Sequence, residues 1–388
     1  MTAPNPQSLR IAMIGTRGVP ARYGGFETAI EEVGRRLADR GHRVLVYSRN
    51  PDASTPLPRT YRGMRVVELP AMRRRSLETL SHTGASITHL LSRIHPDVAF
   101  VFNSANSLFL PALRAARIPV ATHVDGLEWK RGKWGPTGQR YYRAAEAAAV
   151  RFSDALIADA RGIADYYAQE FSAPTELIAY GAPQVAALTD RLGELDVSAR
   201  EYHLVVARFE IENHVDVIVD GYTRSPARLP LVVVGSAPYA DEYTRRIASL
   251  ADARVRLLGG VWDQELLDQL YTGALVYYHG HSVGGTNPSL LRALGSGAAV
   301  DAFDVSFNRE VLGGAGRYWT DADDVAALVA SAEADPDAQI ERGRRSRERA
   351  RLYDWDEVAD RYEALARRLA AQGPSRHRPS GRRAGVRA

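Results

Sequence analysis

The chain has 388 residues, a formal net charge of +4 and no cysteine, with 45% hydrophobic and 25% charged residues. This length favours two domains of ordinary size, and the composition excludes a largely disordered, collagenous or coiled-coil protein. Without cysteine, the chain cannot contain disulfides, thiolate nucleophiles or cysteine-ligated metal sites.

The positive charge is concentrated at the C-terminus. Five arginines and no acidic residue lie among residues 373–388, so the other residues carry a net charge of −1. Overall basicity therefore does not indicate a nucleic-acid partner. No apolar run reaches the roughly 18–20 residues that span a bilayer, and residues 1–10 lack the apolar stretch of a signal peptide. We expect a cytoplasmic protein.

The first half alternates short apolar runs with helical segments, which is typical of buried parallel strands. The first run leads into glycine-rich residues and a helical stretch at 26–40, closed by Gly41. This unit predicts the start of a doubly wound sheet. The expected strands are 10–14, 43–47, 64–69, 98–102, 120–123, 155–158 and 177–180.

A polar stretch at about 183–201 interrupts this pattern and is the expected linker. A second series of strands follows, and a helix is expected beyond Trp355, at 356–372. The predicted domains are 1–182 and 200–355, each α/β and Rossmann-like, with a disordered basic tail at 373–388. The expected strands of the second domain are 204–207, 231–235, 255–258, 274–278 and 298–302.

Glycines crowd the first strand-to-helix junction, where Gly15, Gly18, Gly24 and Gly25 could present backbone amides to a phosphate or a sugar. Arg17 and Arg22 in the same segment favour an anionic ligand. The spacing matches neither GxGxxG nor a P-loop, which disfavours a nicotinamide dehydrogenase. Glycines that serve only a tight turn are the structural alternative.

Residues 279–292 form the most informative segment. The amides of Gly285, Thr286 and Asn287 precede a predicted helix, and Pro288 suits the first turn of that helix. Ligands of doubly wound sheets bind beyond the carboxyl ends of the strands, where this segment lies. His279 and His281 have no third metal ligand at useful spacing, so no metal is expected.

Arg208 follows the first strand of the second domain, where an arginine can clamp a diphosphate. The alternative for Arg208 is a surface ion pair with Glu210 or Glu212.

Five ordered segments carry a resemblance over nearly the whole chain. They are IGTRGVPARYGGFET at 14–28, SLETLSHT at 76–83, HVDGLEWKRGKW at 123–134, GHSVGGTNPSLL at 280–291 and FNREVLG at 307–313. Together they resemble GT-B glycosyltransferases of retaining family 4, and more closely the rhamnosyltransferase-type branch with its DUF1972-like N-terminal domain. The resemblance implies two Rossmann-like domains facing a central cleft, with the C-terminal helix returning to the N-terminal domain.

The resemblance also implies a function. It is the transfer of a deoxyhexose, L-rhamnose, from a nucleotide diphosphate sugar, dTDP-rhamnose, to a saccharide or lipid-linked saccharide, with retention and without a metal or other cofactor. The implied catalytic residues are Arg208, His123 and Asp125, and the implied acceptor-binding residues are Arg17, Arg22 and Tyr23. The implied donor-binding residues are Gly24, Gly25, Arg208, His281, Gly284, Gly285, Thr286, Asn287, Ser289, Leu290 and Arg292.

Two departures from the family pattern leave an alternative open. Many members carry two glutamates eight positions apart, for the sugar and for the ribose, where this chain has Gly284 and Arg292. The rhamnosyltransferase-type branch shares the glycine but usually keeps the second glutamate. The lysine expected shortly after Arg208 is replaced by Asn213 or His214. A degenerate sugar-nucleotide-binding or partner protein is therefore the main alternative, and no motif supports an epimerase or a phosphorylase.

Arg73, Arg74 and Arg75 precede a predicted helix at 76–94. In related enzymes a basic patch on the first domain approaches lipid-linked acceptors, so peripheral contact with an anionic membrane is a further expectation. A simply solvated charge run is the alternative.

Overall fold

The computed structural model describes residues 8–21, 24–50, 56–72, 77–124, 126–131, 134–235 and 241–374. Its strands are β1 (Arg10–Ile14), β2 (Arg43–Ser48), β3 (Thr60–Tyr61), β4 (Met64–Glu68), β5 (Val98–Phe102), β6 (Val120–His123), β7 (Ala155–Ala158), β8 (Glu176–Leu177), β9 (His203–Val206), β10 (Leu231–Val234), β11 (Val255–Gly259), β12 (Val276–His279), β13 (Val300–Phe303) and β14 (Gly316–Trp319).

Its α-helices are α1 (Gly25–Asp39), α2 (Glu78–Arg93), α3 (Leu110–Ala115), α4 (Pro136–Phe152), α5 (Arg161–Phe171), α6 (Val215–Arg224), α7 (Asp241–Leu250), α8 (Gln264–Gly273), α9 (Pro288–Ser296), α10 (Ser306–Leu312), α11 (Ala322–Ala334), α12 (Pro336–Ala350) and α13 (Trp355–Gln372). Among the described helices, none is both long and apolar enough to cross a membrane.

The chain divides into two compact units. Unit 1 comprises Met1–Tyr180 and Trp355–Ala388, and unit 2 comprises Gly181–Asp354. Residues 183–201, expected as a linker, are part of unit 2. They are held there because the Arg191 amide donates to Gln269 and Arg256 donates to the Leu195 and Asp196 carbonyls.

Unit 1 contains an eight-stranded sheet in the order β3-β4-β2-β1-β5-β6-β7-β8, parallel except for the β3–β4 pair. Its central strand β5 is buried along its whole length, as a strand covered by helices on both faces must be. The strand order reverses between β1 and β5, which are neighbours in the sheet. Their carboxyl ends therefore mark the usual ligand position of a doubly wound sheet.

The C-terminal helix α13 packs in unit 1. Tyr362 on α13 is 1% exposed and its ring lies 5.1 Å from that of Phe100 on β5. Arg36 on α1 also ion-pairs with Asp356 at 2.5 Å. Apolar burial and surface ion pairs together attach the last helix to the first sheet.

Unit 2 contains a six-stranded parallel sheet in the order β11-β10-β9-β12-β13-β14. Its core gathers the fully buried Trp319 and Tyr222 with aliphatic side chains of β9, β10 and α6. A Cβ on Gly221 of α6 would lie 2.4 Å from the Ala322 carbonyl, so glycine is what lets α6 approach α11. The order reverses between β9 and β12, whose carboxyl ends form the second candidate ligand position.

The two-sheet α/β architecture confirms the predicted fold class. Strand boundaries differ mainly at 177–180, where only Glu176–Leu177 is strand. The sequence also missed β3 and β14, because both are edge strands with partly exposed side chains and little apolar signal.

Candidate functional site

Two loops meet at the carboxyl edge of unit 2: the β9 loop, residues 207–214, and the β12 loop, residues 280–287. Asn213 Oδ1 lies 2.8 Å from His281 Nδ1, and Asn213 Nδ2 donates to the Arg208 carbonyl at 2.8 Å. Because its amide nitrogen faces a carbonyl, Asn213 must accept from His281, which places the imidazole hydrogen on Nδ1. Asn213, which stands near the position of the expected lysine, is therefore a link between the loops.

Backbone contacts extend this link. His214 Nδ1 lies 2.8 Å from the Gly280 carbonyl, and the Ser282 amide donates to the Glu212 carbonyl at 2.9 Å. A Cβ at position 280 would lie 2.0 Å from the Asn213 carbonyl, so glycine is required for this close approach. The two loops are consequently held as one rigid surface.

Arg208 lies on this surface. Its side chain is exposed, and no other described residue forms a hydrogen bond or ion pair with its guanidinium. The ion pair with Glu210 or Glu212, the structural alternative, is thus not formed in the described part of the chain. An exposed cation beside a rigid loop at a strand-order reversal is suited to an anionic ligand.

The β12 loop ends in the predicted helix start. The Asn287 side chain caps α9 by accepting from the Ser289 amide at 2.9 Å, and Pro288 occupies the first turn as expected. Gly284 has φ of 131°, a conformation that only glycine adopts readily. Gly284, Gly285 and Ser289 are partly exposed, whereas Thr286 and Leu290 are buried. The predicted donor-binding positions of this segment therefore include partly exposed residues and three buried ones, His281, Thr286 and Leu290.

His279 lies beneath the β12 loop at the end of β12. Its Nδ1 is 3.0 Å from the Tyr277 hydroxyl, and its buried Nε2 has no hydrogen-bond partner among the described residues. Burial lowers the pKa of His279 to about 3, so the ring is neutral. Within the described ranges, no three His, Asp or Glu side chains come together in a way that could hold a metal ion.

Arg292 is engaged by another residue. On α9 it forms an ion pair with Asp268 on α8, and both side chains are about three-quarters buried. The described contact of Arg292 is therefore a side-chain ion pair within unit 2, and contact with a donor ribose stays a prediction.

Residues 15–21, which we call the glycine loop, follow the carboxyl end of β1 in unit 1. Gly15 (φ 104°) and Gly18 (φ 85°) have no room for a Cβ, which would lie 2.4 Å from the Phe102 carbonyl and 2.0 Å from Ser48 Oγ, respectively. Asn106 fixes the loop by donating to the Gly15 carbonyl at 3.0 Å and to the Phe102 carbonyl at 2.8 Å. These two glycines are needed for packing whatever the loop binds.

Carboxylates satisfy two amides of this loop. The Arg17 amide donates to Glu27 at 3.0 Å, and the Ala21 amide donates to Glu31 at 2.6 Å. Gly24, at the N-terminus of α1, is exposed and Gly25 is partly exposed. The negative charges of Glu27 and Glu31 at this loop would repel a phosphate. Their carboxylate oxygens can, however, accept hydrogen bonds from sugar hydroxyls.

His123, at the end of β6, is 1% exposed and surrounded by the rings of Phe26, Phe102, Tyr180 and Tyr362. Its Nδ1 lies 2.8 Å from the Tyr362 hydroxyl, and burial lowers its pKa to about 3. Its Nε2 is buried and has no partner in the described part of the chain.

The neutral His123 therefore presents no charge, and its catalytic role stays a prediction. Arg22, Tyr23 and Asp125 lie outside the described residues.

Sequence reasoning missed two supporting asparagines, each shortly after a strand. Asn106 follows β5. Asn308 lies on α10, and its side-chain amide donates to the His281 and Phe303 carbonyls, each at 2.9 Å. Both are fully buried. The available signal was an asparagine four residues after the end of β5 and another five residues after the end of β13.

Comparison with known proteins defines the class of fold. The chain is similar to sucrose-phosphate synthase from Thermosynechococcus elongatus, with a TM-score of 0.81 and 20% identity, covering 93% of this chain and 99% of that one. HepE from Anabaena, solved with UDP and glucose, gives a TM-score of 0.71 and 16% identity over 94% of this chain and all of that one. Trehalose 6-phosphate synthase from Burkholderia multivorans gives a TM-score of 0.69 and 13% identity, covering 94% of this chain and 98% of that one. The fold is that of the GT-B glycosyltransferases.

A family model adds to this likeness at the level of sequence. Residues 24–181, which form most of unit 1, match the model of the glycosyl transferase 4-like domain. No curated protein matches the sequence. The GT-B and family 4 parts of the resemblance are thereby supported, while its rhamnosyltransferase branch is not addressed.

Proposed function

We propose that this protein is a retaining glycosyltransferase that binds the diphosphate of a nucleotide sugar at the carboxyl edge of unit 2. The observation that carries the proposal is the exposed Arg208 guanidinium beside the β12 loop, which no described residue pairs with. The glycosyl transferase 4-like match in unit 1 and the UDP found in a structure of the same fold support it.

The proposed chemistry needs positioning and charge stabilisation. The bond between the anomeric carbon and the diphosphate oxygen breaks, and the acceptor oxygen bonds to that carbon on the same face. The acceptor proton passes to the leaving phosphate oxygen. Arg208 and the amides around Gly285 stabilise the negative charge that develops on the leaving group. Neither paired carboxylates nor a metal enters this scheme.

The proposed donor is dTDP-L-rhamnose, and the proposed acceptor is a saccharide or a lipid-linked saccharide. The five segments of the rhamnosyltransferase type support this donor, with Gly284 at the position where many relatives carry a sugar-binding glutamate. UDP-glucose is the natural competitor to test, because HepE has also been solved with UDP-glucose.

The second candidate, a degenerate nucleotide-sugar-binding protein, is favoured by one observation. The Arg292–Asp268 ion pair places an engaged cation where many relatives have a ribose-binding carboxylate. This candidate predicts binding of a nucleotide sugar without turnover.

A panel of nucleotide sugars separates these candidates. The full chain is incubated with dTDP-rhamnose, UDP-glucose or UDP-galactose, with and without a saccharide acceptor, and release of nucleoside diphosphate is measured. Acceptor-dependent release from dTDP-rhamnose supports the proposal in full, and release from a UDP-sugar alone corrects the donor. If a donor stabilises the protein against thermal unfolding in a saturable way and no nucleoside diphosphate is released, the protein is the degenerate binder. If no donor is cleaved and no donor stabilises the protein, both candidate functions are overturned.

A further inference from the structure

A second cavity lies in unit 2 at the amino edge of the sheet, opposite the loops described above. We call it the amino-edge cavity. It has a volume of about 380 Å³ and is lined by Arg200, Thr272, Gly297, Arg344 and Arg347, among others. Arg200 precedes β9, Thr272 precedes β12 and Gly297 precedes β13. Strands β9 and β12 each have four residues, and the loops described above follow their opposite ends. At a rise of about 3.3 Å per residue, the strands separate this cavity from those loops by ~13 Å.

Two arginines of this cavity have no counter-ion. Arg200 donates to the Ala274 carbonyl at 2.7 Å, and Arg347 donates to the Ser296 carbonyl at 3.0 Å. No carboxylate within the described ranges forms an ion pair with either guanidinium. Burial is the main cause that lowers the pKa of Arg200; Tyr202 raises this pKa, and the positive charge of Arg347 lowers it, so the two cations lie close enough to repel each other.

Three other arginines of α12 are paired with acids: Arg342 with the buried Asp301, and Arg344 and Arg345 with Glu341. Arg349 on the same helix, like Arg347, donates to backbone carbonyls. Arg344, at 76% side-chain exposure, lies at the solvent side of the lining. Two neighbouring cations held only by carbonyl oxygens leave the inner part of the cavity positively charged, and an anion there would relieve their repulsion.

A polar group in the cavity also lacks a partner. Thr272 is 7% exposed, and its buried hydroxyl makes no hydrogen bond to any described residue. A buried hydroxyl without a partner is unfavourable and typically marks a position that a ligand or water satisfies. Thr272 is among the residues that line the cavity together with Arg200 and Arg347.

We propose that the amino-edge cavity binds a phosphate-bearing small molecule, with Arg200 and Arg347 on the phosphate and Thr272 donating to one of its oxygens. Its volume lies within the range of about 300–1,000 Å³ that small-molecule sites occupy. Inorganic phosphate and a hexose phosphate share this chemistry. The site is independent of the proposed transferase activity, since no residue of the β9 or β12 loop contributes to it.

The test is a calorimetric titration of the full chain at constant ionic strength with inorganic phosphate, glucose 6-phosphate or glucose. Variants are Arg347→Gln and Thr272→Val, and Arg345→Gln is the matched control because it removes one charge from the same helix outside the cavity. Arg208→Ala separates this site from the donor site. Thermal unfolding without ligand shows that each variant is folded.

Saturable binding of a phosphate compound but not of glucose is expected, and Arg208→Ala and Arg345→Gln should leave it unchanged. Arg347→Gln should weaken it about tenfold or more. Thr272→Val should weaken it severalfold while leaving the unliganded protein at least as stable, because it removes an unpaired hydroxyl. Tighter binding of glucose 6-phosphate than of phosphate identifies a sugar phosphate, and equal binding identifies the phosphate group alone.

The proposal is overturned if phosphate compounds do not bind saturably. It is equally overturned if Arg345→Gln weakens binding as much as Arg347→Gln, since general charge would then explain the effect. Binding lost in Arg208→Ala and retained in Arg347→Gln would assign the phosphate to the β9 loop instead. If Arg347→Gln is unfolded, the Thr272→Val result decides.

Discussion

The side chains of Asn213 and His281 meet at 2.8 Å and join the loops that follow β9 and β12. Both side chains are more than nine-tenths buried. The contact fixes the orientation of the Asn213 amide and the position of the hydrogen on the His281 ring. With that orientation, the Asn213 amide nitrogen donates to the Arg208 carbonyl and holds the backbone at Arg208 in place. The position of the proposed diphosphate clamp therefore depends on an uncharged hydrogen-bonded pair.

Asn213→Ala should lower the free energy of unfolding by about 1–3 kcal/mol, because the buried Nδ1 of His281 loses its acceptor and the Arg208 carbonyl loses one of its two donors. Affinity for nucleoside diphosphate should fall as well, since the two loops are no longer held together. Urea denaturation and calorimetric titration measure the two effects. Asn50→Ala, which removes an exposed contact with Glu68, is the control and should change stability little. Equal effects of the two variants would contradict the structural role.

The Arg292–Asp268 pair predicts a charge-swap result. Arg292→Glu places two carboxylates together in a position that is about three-quarters buried and should reduce stability by about 1–2 kcal/mol. The double variant Asp268→Arg/Arg292→Glu should recover at least half of this loss in a double-mutant cycle. If Arg292→Glu instead raises donor affinity without loss of stability, position 292 contacts the nucleotide and the native chain is a degenerate transferase.

Glu363 on α13 predicts a pH dependence for unit 1. Partial burial raises the pKa of Glu363, but hydrogen bonds from Arg367 at 2.7 Å, His42 at 3.1 Å and Arg40 at 2.9 Å outweigh it and lower the pKa to about 2. Because the folded-state pKa lies below the unfolded value, its ionised form stabilises the fold above about pH 4.5. This contribution is lost as the pH falls toward 2.

The wild type should therefore be more stable than Glu363→Gln at pH 7, and this difference should shrink steadily between about pH 4.5 and 2. Urea denaturation of both proteins across this range measures it. Glu357→Gln, which removes an exposed ion pair with Arg361 on the same helix, is the control. A difference that stays constant with pH would contradict the assignment.

The predicted membrane contact involves Arg73, Arg74 and Arg75, which lie outside the described residues. Each basic residue near an anionic surface contributes about 1 kcal/mol, so three together should give reversible binding to anionic vesicles. Co-sedimentation at low salt compares the chain lacking residues 373–388 with its Arg73/Arg74/Arg75 triple alanine variant. Equal binding would show that these arginines have no membrane role.

The sequence predicted the sheets because their central strands are continuous apolar runs of four to six residues. It also predicted the Asn287–Pro288 helix start and the position of Arg208, since each depends on local sequence. Partners distant in the chain could not be predicted in this way. The resemblance implied a catalytic role for His123, but rings from four separate segments cover its side chain. Likewise, Asp268 lies 24 positions before Arg292, and only the packing of α8 on α9 brings them together.

The amino-edge cavity shows the same limit. Thr272, Arg200 and Arg347 are unremarkable in sequence, and Arg347 belongs to an arginine-rich helix that looks like a solvated surface. Only the convergence of three strand starts with α12 places these residues around one space.

The central claim is tested most directly by the kinetics of Arg208→Ala with the donor that the nucleotide-sugar panel identifies. Arg245→Ala, which removes an exposed arginine of α7, is the matched control. A charge-assisted contact with the leaving diphosphate is worth about 2–4 kcal/mol in the transition state, so kcat/KM of Arg208→Ala should fall roughly 30- to 1000-fold with thermal stability unchanged. A fall of less than threefold, or one matched by Arg245→Ala, would contradict the account.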